Sequence, residues 1–132
     1  MKGFKSSIST EALENTNFRK VLYTGIHLQL VLMSLPPGTD IGEEVHLSND
    51  QFFRFEGGYG KCFIDGYEYD VKAGDAIVVP AGASHNVLNT DAEVDLSMYT
   101  IYGPPNHKDG IIRTTKKVAE QDCEKFDGMT TE

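Results

Sequence analysis

The stretch GDAIVVPAGASHNVLN, residues 74–89, decides the fold of this chain. It opens with a Gly-Asp turn, continues through a short apolar run at 76–79, and bends at Pro80. A short apolar run that is bounded by turn residues is typical of a buried strand. His85 follows the bend at the start of the next apolar segment. The stretch therefore predicts two short strands and a bend between them that directs one histidine.

Short apolar segments separated by turns continue on both sides of this stretch. The dipeptide Asp65-Gly66 separates two of them and is a strong signal for a two-residue hairpin. Many short strands without helices between them indicate an all-β sandwich or barrel. Residues 7–20 predict either a short helical turn or an extended arm, and a short helix is predicted near 117–125. The predicted strands cover residues 27–35, 41–47, 51–55, 61–64, 67–71, 76–79, 85–88 and 94–102.

Length and charge limit the classes of protein to which the chain can belong. Its 132 residues predict one domain, 1–132. The net charge of −8, from 20 acidic and 12 basic residues, disfavours nucleic acid and anionic membrane surfaces as partners. Binding to phosphates requires clustered Lys and Arg side chains, which this composition does not favour.

Hydropathy and cysteine content predict a cytoplasmic protein. No stretch approaches the roughly 18 apolar residues of a membrane-spanning helix. The N-terminal residues MKGFKSSIST lack the apolar segment of a signal peptide. Cys62 and Cys123 are too few for a disulfide framework, and two reduced thiols are typical of the cytoplasm.

Four polar side chains are candidates for a metal site. Glu44 and His46 are two residues apart, so a strand places both on one face. Gln51 begins the next predicted strand, and a hairpin would fold it back beside them, with Phe53 and Phe55 on its face. His85 completes the set if its strand faces this hairpin across the barrel. The alternative interpretation is that Glu44 and Gln51 are solvated edge residues and His46 is a lone surface histidine.

These ligand types suit a divalent ion. Two imidazoles, one carboxylate and one carboxamide oxygen are compatible with Zn, Mn, Fe, Co or Ni. The two-His-one-carboxylate subset also suits the chemistry of iron with oxygen.

Residues 74–89 resemble the second sequence motif of the cupin superfamily. That motif reads Gly, five residues, Pro, one residue, Gly, two residues, His, three residues, Asn. The matching positions here are Gly74, Pro80, Gly82, His85 and Asn89. Within it, we expect Gly82 to take a backbone angle that other residues resist, and Asn89 to be a structural hydrogen-bonding residue.

The first cupin motif is matched in its frame, with two substitutions. It reads Gly, five residues, His-x-His, three or four residues, Glu, six residues, Gly. Here Gly38 and Gly58 frame Glu44, His46 and Gln51. Glu44 replaces the first His and Gln51 replaces the Glu, so the negative charge moves to a different position. The two motifs lie within residues 38–89.

The resemblance implies a fold, a ligand set and a group of relatives. The fold would be a cupin double-stranded β-helix, or jelly-roll barrel, with a short N-terminal arm and a short C-terminal helix. The divalent ion, one of Zn, Mn, Fe or Ni, would be held by Glu44, His46, Gln51 and His85. The chain looks like a small single-domain bacterial cupin, a group sometimes labelled mannose-6-phosphate isomerase-like.

Other side chains have less specific interpretations. We expect His27 to pack or hydrogen-bond near the start of its strand. His107 is either a surface-loop residue or a cap on the mouth of the barrel. Met98, Thr100 and Tyr102 share a strand face with Val94 and Leu96, and are core residues first and pocket wall second.

Two classes of function remain open, and one assembly state is predicted. The chain is either a metal-dependent enzyme acting on a small polar molecule, like a sugar or keto–enol isomerase or a non-haem dioxygenase, or a non-catalytic cupin that binds or senses a small ligand. A metal-free structural jelly roll ranks last. We expect a homodimer, because Leu28–Leu32 is apolar on both strand faces while a small barrel buries only one.

Overall fold

The computed structural model describes all residues of the chain, 1–132. Ten strands and two short helices make up its regular structure. The predicted all-β fold is confirmed, with one short helix near each end. The elements are α1 (Ile8–Glu14), β1 (Arg19–Thr24), β2 (Gln29–Leu35), β3 (Glu44–Val45), β4 (Asp50–Gly57), β5 (Tyr59–Ile64), β6 (Tyr67–Lys72), β7 (Ala76–Val79), β8 (Ser84–Asn89), β9 (Leu96–Gly103), β10 (Ile112–Arg113) and α2 (Lys116–Gln121).

The strands form two antiparallel sheets. The six-stranded sheet has the order β10-β1-β2-β9-β4-β7, and the four-stranded sheet has the order β3-β8-β5-β6. From β3 onward the chain passes repeatedly from one sheet to the other, as in a jelly roll. Side chains of both sheets meet in one core cluster of 18 buried residues, including Phe53 and Met98 from one sheet and Val87 from the other. The sheets therefore pack face to face around a shared interior.

The predicted hairpin at Asp65-Gly66 is confirmed. These two residues connect β5 to β6, which pair from Ile64↔Tyr67 outward. Both have a positive φ, 45° for Asp65 and 85° for Gly66. Such angles are those of the turn that matches the twist of two paired strands, and glycine adopts them without steric cost.

The predicted hairpin between 41–47 and 51–55 is wrong. β3 pairs with β8, where Glu44 lies opposite His85, while β4 belongs to the other sheet and pairs with β7 and β9. The intervening polar segment crosses between sheets. Asn49 is 8% exposed and its side-chain amide donates to the Pro105 carbonyl at 3.3 Å. This contact ties the segment to the end of β9 in the other sheet, so the chain is not reversed next to β3.

Strand β2 is buried on both faces, as predicted, but its second face is covered differently from our expectation. Val31 and Met33 lie in the core cluster, while Leu32 is 2% exposed and points to the opposite face. Helix α1 packs there against β2, β4 and β9 and buries Ala12 completely. The chain's own helix thus covers Leu32, and the homodimer stays a prediction. Neither helix is long and apolar enough to span a membrane.

The two cysteines are expected to differ strongly in reactivity. Cys62 on β5 is fully buried, and burial raises the pKa of its thiol to about 11. Cys123 is exposed. Because the thiolate is the reactive form, one thiol per chain should react with a disulfide reagent at pH 8 in the folded protein, and two after denaturation. Rapid reaction of both thiols in the folded protein would contradict the burial of Cys62.

The Cys62→Ser variant should bind metal as the wild type does.

Candidate metal centre

The four predicted metal-site residues come from both sheets and meet inside the barrel. Glu44 on β3 and His85 on β8 are direct cross-strand partners. His46 follows β3 immediately, and Gln51 lies near the start of β4 in the opposite sheet. The structure therefore brings the four residues together, with Gln51 reaching the other three across the interior rather than from a neighbouring hairpin strand.

The donor atoms of these side chains are close to one another. His46 Nε2 lies 3.0 Å from Glu44 Oε2, and His85 Nε2 lies 3.1 Å from Gln51 Oε1. One donor atom from each of Glu44, His46 and His85 lies within 4.8 Å of the others. Ligands bound to one ion at about 2.1 Å are separated by about 3 to 4 Å. The spacing of the side chains is thus compatible with one shared divalent ion.

The bend after β7 fixes the approach to His85. Gly82 has a φ of 90°, which confirms the expected unusual backbone angle. Its N–H donates to the His46 carbonyl at 2.9 Å, and the Ala81 N–H donates to Asp50 Oδ1 at 2.9 Å. The bend is therefore joined by hydrogen bonds to the segment that carries His46 and to the start of β4.

The hydrogen-bond partners of His85 provide a test of whether a cation fits here. Its Nδ1 lies 3.2 Å from the Ala83 carbonyl oxygen, and its Nε2 faces the Gln51 carboxamide oxygen. Both partners are acceptors. Burial lowers the pKa of His85, so the ring is neutral near pH 7 and has only one N–H. If Nδ1–H donates to Ala83, the lone pair of Nε2 faces an oxygen, and a cation between them would satisfy both atoms.

A metal-free arrangement of the same residues also exists. Gln51 Nε2 donates to Thr100 Oγ1 at 3.0 Å, which directs Oε1 toward His85. A half turn of the amide would place its NH2 group on His85 and its oxygen on the Thr100 hydroxyl. The two arrangements differ in whether His85 meets a metal ion or an amide proton.

Glu44 is ionised at neutral pH. Burial raises the pKa of its carboxyl group, but the hydrogen bond from His46, together with the positive charge of Arg19, has the larger combined effect and the pKa is lowered. Its side chain is 32% exposed, while that of His46 is 12% exposed. Glu44 thus supplies a negative charge at the point where the site opens.

A second layer of polar residues surrounds the site. Tyr102 is 1% exposed, packs edge-on against the ring of His46, and has its hydroxyl 3.2 Å from His107 Nε2. Gln29 is completely buried and accepts hydrogen bonds from the N–H groups of Asn106 and His107 through its side-chain oxygen. Gln29 thus holds the segment that positions His107, a role that its place within an apolar run did not suggest.

The structure also locates the other candidate residues from the sequence. His107 is 6% exposed, so the surface-loop interpretation is wrong and it lies inside the mouth of the barrel. His27 is exposed in the turn between β1 and β2, so the expectation that it packs or hydrogen-bonds near the start of its strand is wrong. Asn89 donates to the carbonyls of Leu35 and Val94, which confirms its structural role.

Strand β9 holds most of the predicted core positions of the last strand. Its buried side chains include Leu96, Met98, Thr100 and Tyr102, whereas Val94 precedes the strand and is 50% exposed.

Arg19 is a site residue that the sequence analysis did not identify. It is 9% exposed on β1 and faces the interior, as does Val21 two residues later. The alternation of side chains along a strand would have placed Arg19 on the same face as Val21. The sequence analysis missed this because it assigned residues 7–20 to a helical turn or an extended arm.

One pocket is lined by the polar side chains of Arg19, Glu44, His46 and His107. Its cavity volume is about 120 Å³. Residues 116–125, including the exposed Lys125, form much of its mouth. The candidate metal site is thus accessible from outside at Glu44 and His46.

Comparison with known sequences identifies a family profile that covers the site. The profile, described as a Cupin domain, matches residues 31–102. The uncharacterised protein YrkC of Bacillus subtilis (strain 168) is 43% identical over 121 residues, which span 87% of this chain and 64% of that protein. The chain therefore covers less than two thirds of the length of that relative.

Comparison with solved structures gives the same fold. The crystal structure of BH2720 from Bacillus halodurans has a TM-score of 0.89 and 39% identity, covering 92% of this chain and 96% of that one. The structure of KdgF from a Halomonas species has a TM-score of 0.62 at 22% identity, covering 69% of this chain and 79% of that one. At that lower identity the likeness concerns the fold alone.

Proposed function

Because the chain belongs to the cupin family, we propose that it is a metal-dependent enzyme that moves a proton on a small carbonyl compound. One cupin domain, 1–132, would hold a divalent ion, either Zn, Mn, Fe or Ni, through Glu44, His46, Gln51 and His85. The observation that carries this proposal is the close approach of nitrogen and oxygen atoms from these four side chains, of which Glu44 and His46 line a solvent-accessible pocket.

The metal ion would supply one part of the chemistry. A divalent ion bound there acts as a Lewis acid that polarises the carbonyl oxygen of a substrate.

Glu44 is available as a proton acceptor at neutral pH. Its pKa is lowered, so the carboxylate is ionised at neutral pH, and its Oε2 contacts His46. Its other oxygen, Oε1, has no hydrogen-bond partner within the chain, and the side chain lines the pocket. We propose that Glu44 Oε1 accepts the proton from the carbon next to the substrate carbonyl.

Tyr102 and His107 are suited to hold and return a proton. Burial raises the pKa of the Tyr102 phenol, so it keeps its proton, and burial lowers the pKa of His107 to about 2, so its ring is neutral. The Tyr102 hydroxyl can therefore donate to His107 Nε2 across their 3.2 Å separation. A proton that this pair delivers to the substrate leaves the pair with one negative charge, which is neutralised when the pair takes up a proton again.

The test measures exchange of carbon-bound hydrogen with deuterium. Metal-loaded protein should exchange the α-hydrogens of pyruvate or dihydroxyacetone in D2O faster than the same metal ion in buffer, as followed by NMR. The Tyr102→Phe variant should keep its metal and lose the enhancement by about a hundredfold, the lower range for general acid–base catalysis. Full metal occupancy with no enhanced exchange on either compound would contradict the proposed proton transfer.

A second candidate function follows from the ligand types. Glu44, His46 and His85 form a two-His-one-carboxylate set, which suits iron enzymes that use oxygen. Oxygen consumption by the iron-loaded protein in the presence of a substrate would favour this function. Ligand binding with neither exchange nor oxygen consumption would favour a non-catalytic binding role.

We also propose that the chain forms a homodimer through the outer face of its larger sheet. Leu30, Ile101, Phe52 and Val78 are successive cross-strand neighbours there, and Val78 is 64% exposed. Apolar side chains in such a row are typical of an interface. Light scattering at micromolar concentration should report twice the mass of the chain, and a monomer would contradict the proposal.

A further inference from the structure

The side chain of Arg19 forms part of the pocket without any partner in the chain. From this, we infer that Arg19 binds the carboxylate group of a small organic anion that enters the pocket beside the candidate metal site. The inference names the class of substrate for the proposed function and rests on the same pocket.

Arg19 is a buried charge that has no hydrogen-bonded or ion-paired partner in the chain. It is 9% exposed, its Nε is fully buried without a hydrogen-bond partner, and none of the side-chain ion pairs of the chain includes it. Its only specific contact is with the neighbouring Phe18 ring, whose centroid is 5.3 Å from Cζ. An unpaired charge that is withdrawn from water is destabilising, so this arrangement indicates a partner from outside the chain.

The nearest comparable residue shows what Arg19 lacks. Arg113 lies directly opposite Arg19 in the pairing of β1 with β10. The guanidinium of Arg113 pairs with Asp122 at 3.1 Å. The positive charge of Arg19 helps to lower the pKa of the Glu44 carboxyl group, but the side chain that contacts this carboxylate is His46. The acidic groups near Arg19 thus form their close contacts with other residues, and the guanidinium of Arg19 stays free to bind an anion.

The shape of the Arg19 guanidinium and the size of the pocket define the class of ligand. A guanidinium is a planar fork that matches a carboxylate through two parallel hydrogen bonds. The cavity volume of about 120 Å³ is well below the range of about 300 to 1,000 Å³ for sites that bind drug-sized molecules. The ligand is therefore a small carboxylate with few non-hydrogen atoms, not a nucleotide or a sugar phosphate.

The test is calorimetric titration of the wild type and three variants with pyruvate at low ionic strength. Acetone, a neutral analogue, and inorganic phosphate serve as comparison ligands. Arg19→Met should weaken pyruvate binding by at least about tenfold, because it removes one partner of a buried charged pair. Lys125→Met, which removes the same charge at the exposed rim of the pocket, should change binding by less than about threefold. Arg19→Lys keeps the charge without the fork and should lie between the wild type and Arg19→Met.

Melting temperatures supply a second measurement and a check on folding. Without an anion, Arg19→Met should melt no lower than the wild type, because an unpaired buried charge has been removed. Millimolar pyruvate should raise the melting temperature of the wild type and of Lys125→Met, but not that of Arg19→Met. If Arg19→Met fails to fold, Arg19→Lys decides: unchanged pyruvate affinity in that variant would overturn the role of the fork.

The outcomes separate this inference from the proposed function. Equal pyruvate affinity in the wild type and Arg19→Met, or pyruvate binding no tighter than acetone, would overturn the inference, as would a clear preference for phosphate. Titrations of metal-free protein are run in parallel. Anion binding that depends on Arg19 in a protein that holds no metal would support the inference while contradicting the proposed metal centre.

Discussion

Glu44→Gln is expected to lower the affinity of the protein for a divalent ion by about tenfold to a hundredfold or more. Glu44 is the only negatively charged member of the proposed ligand set, and the other three side chains are neutral. Its replacement leaves a neutral shell around a dication. At an effective dielectric constant of about 20, the lost attraction is a few kcal/mol, and each 1.4 kcal/mol is about a factor of ten in affinity.

Gln51→Glu is the matched variant and should have the opposite effect. It adds a second carboxylate at a position that is 2% exposed and in contact with His85. Metal content and melting temperature would be measured for both variants, with and without a chelator. Gln51→Glu should hold metal at least as tightly as the wild type. Full occupancy of Glu44→Gln after dialysis against a chelator would show that Glu44 is not a ligand.

Phe53→Ala is expected to lower the free energy of unfolding by about 3 to 5 kcal/mol. Phe53 is completely buried, stacks against Phe55 with a centroid distance of 6.2 Å, and lies beneath the ring of His85 at 6.4 Å. Its removal would leave a cavity under the candidate site, because the two sheets are close-packed around this residue. Urea unfolding followed by circular dichroism would measure the loss.

Phe52→Ala is the control for this prediction. Phe52 is the preceding residue on β4 and points to the outer face, where it is partly exposed and lies near Tyr99. Because less of its surface is buried within the chain, its truncation should cost less than half as much as that of Phe53 when both are measured at a concentration where the chain is monomeric. Equal losses in the two variants would contradict the assignment of Phe53 to the interior and Phe52 to the outer face.

Local signals in the sequence were sufficient for much of the fold. The hairpin at Asp65-Gly66 and the bend at Gly82 were predicted because each depends on backbone angles that a few residue types supply. The inward face of β4, with Gln51, Phe53 and Phe55, followed from the alternation of side chains along a strand. The spacing of the two motifs also identified the four residues that meet in the candidate site.

Contacts between distant segments were beyond the reach of such signals. A turn rich in polar residues after β3 predicted a hairpin, whereas Asn49 binds carbonyl groups at the end of β9 and carries the chain to the other sheet. Arg19 was missed for a related reason. A charged residue at the start of a strand is ordinarily exposed, and only the folded structure shows that its side chain lies within the barrel.

An anomalous-difference map tests the proposed metal centre most directly. Crystals would be grown from protein that was purified without a chelator or a metal-affinity column, and data would be collected on both sides of the absorption edge of the candidate metals. The proposed site predicts one peak between Glu44, His46 and His85, with the Gln51 oxygen directed at it. No peak, together with a Gln51 amide that donates to His85, would show that the residues form a metal-free hydrogen-bond network.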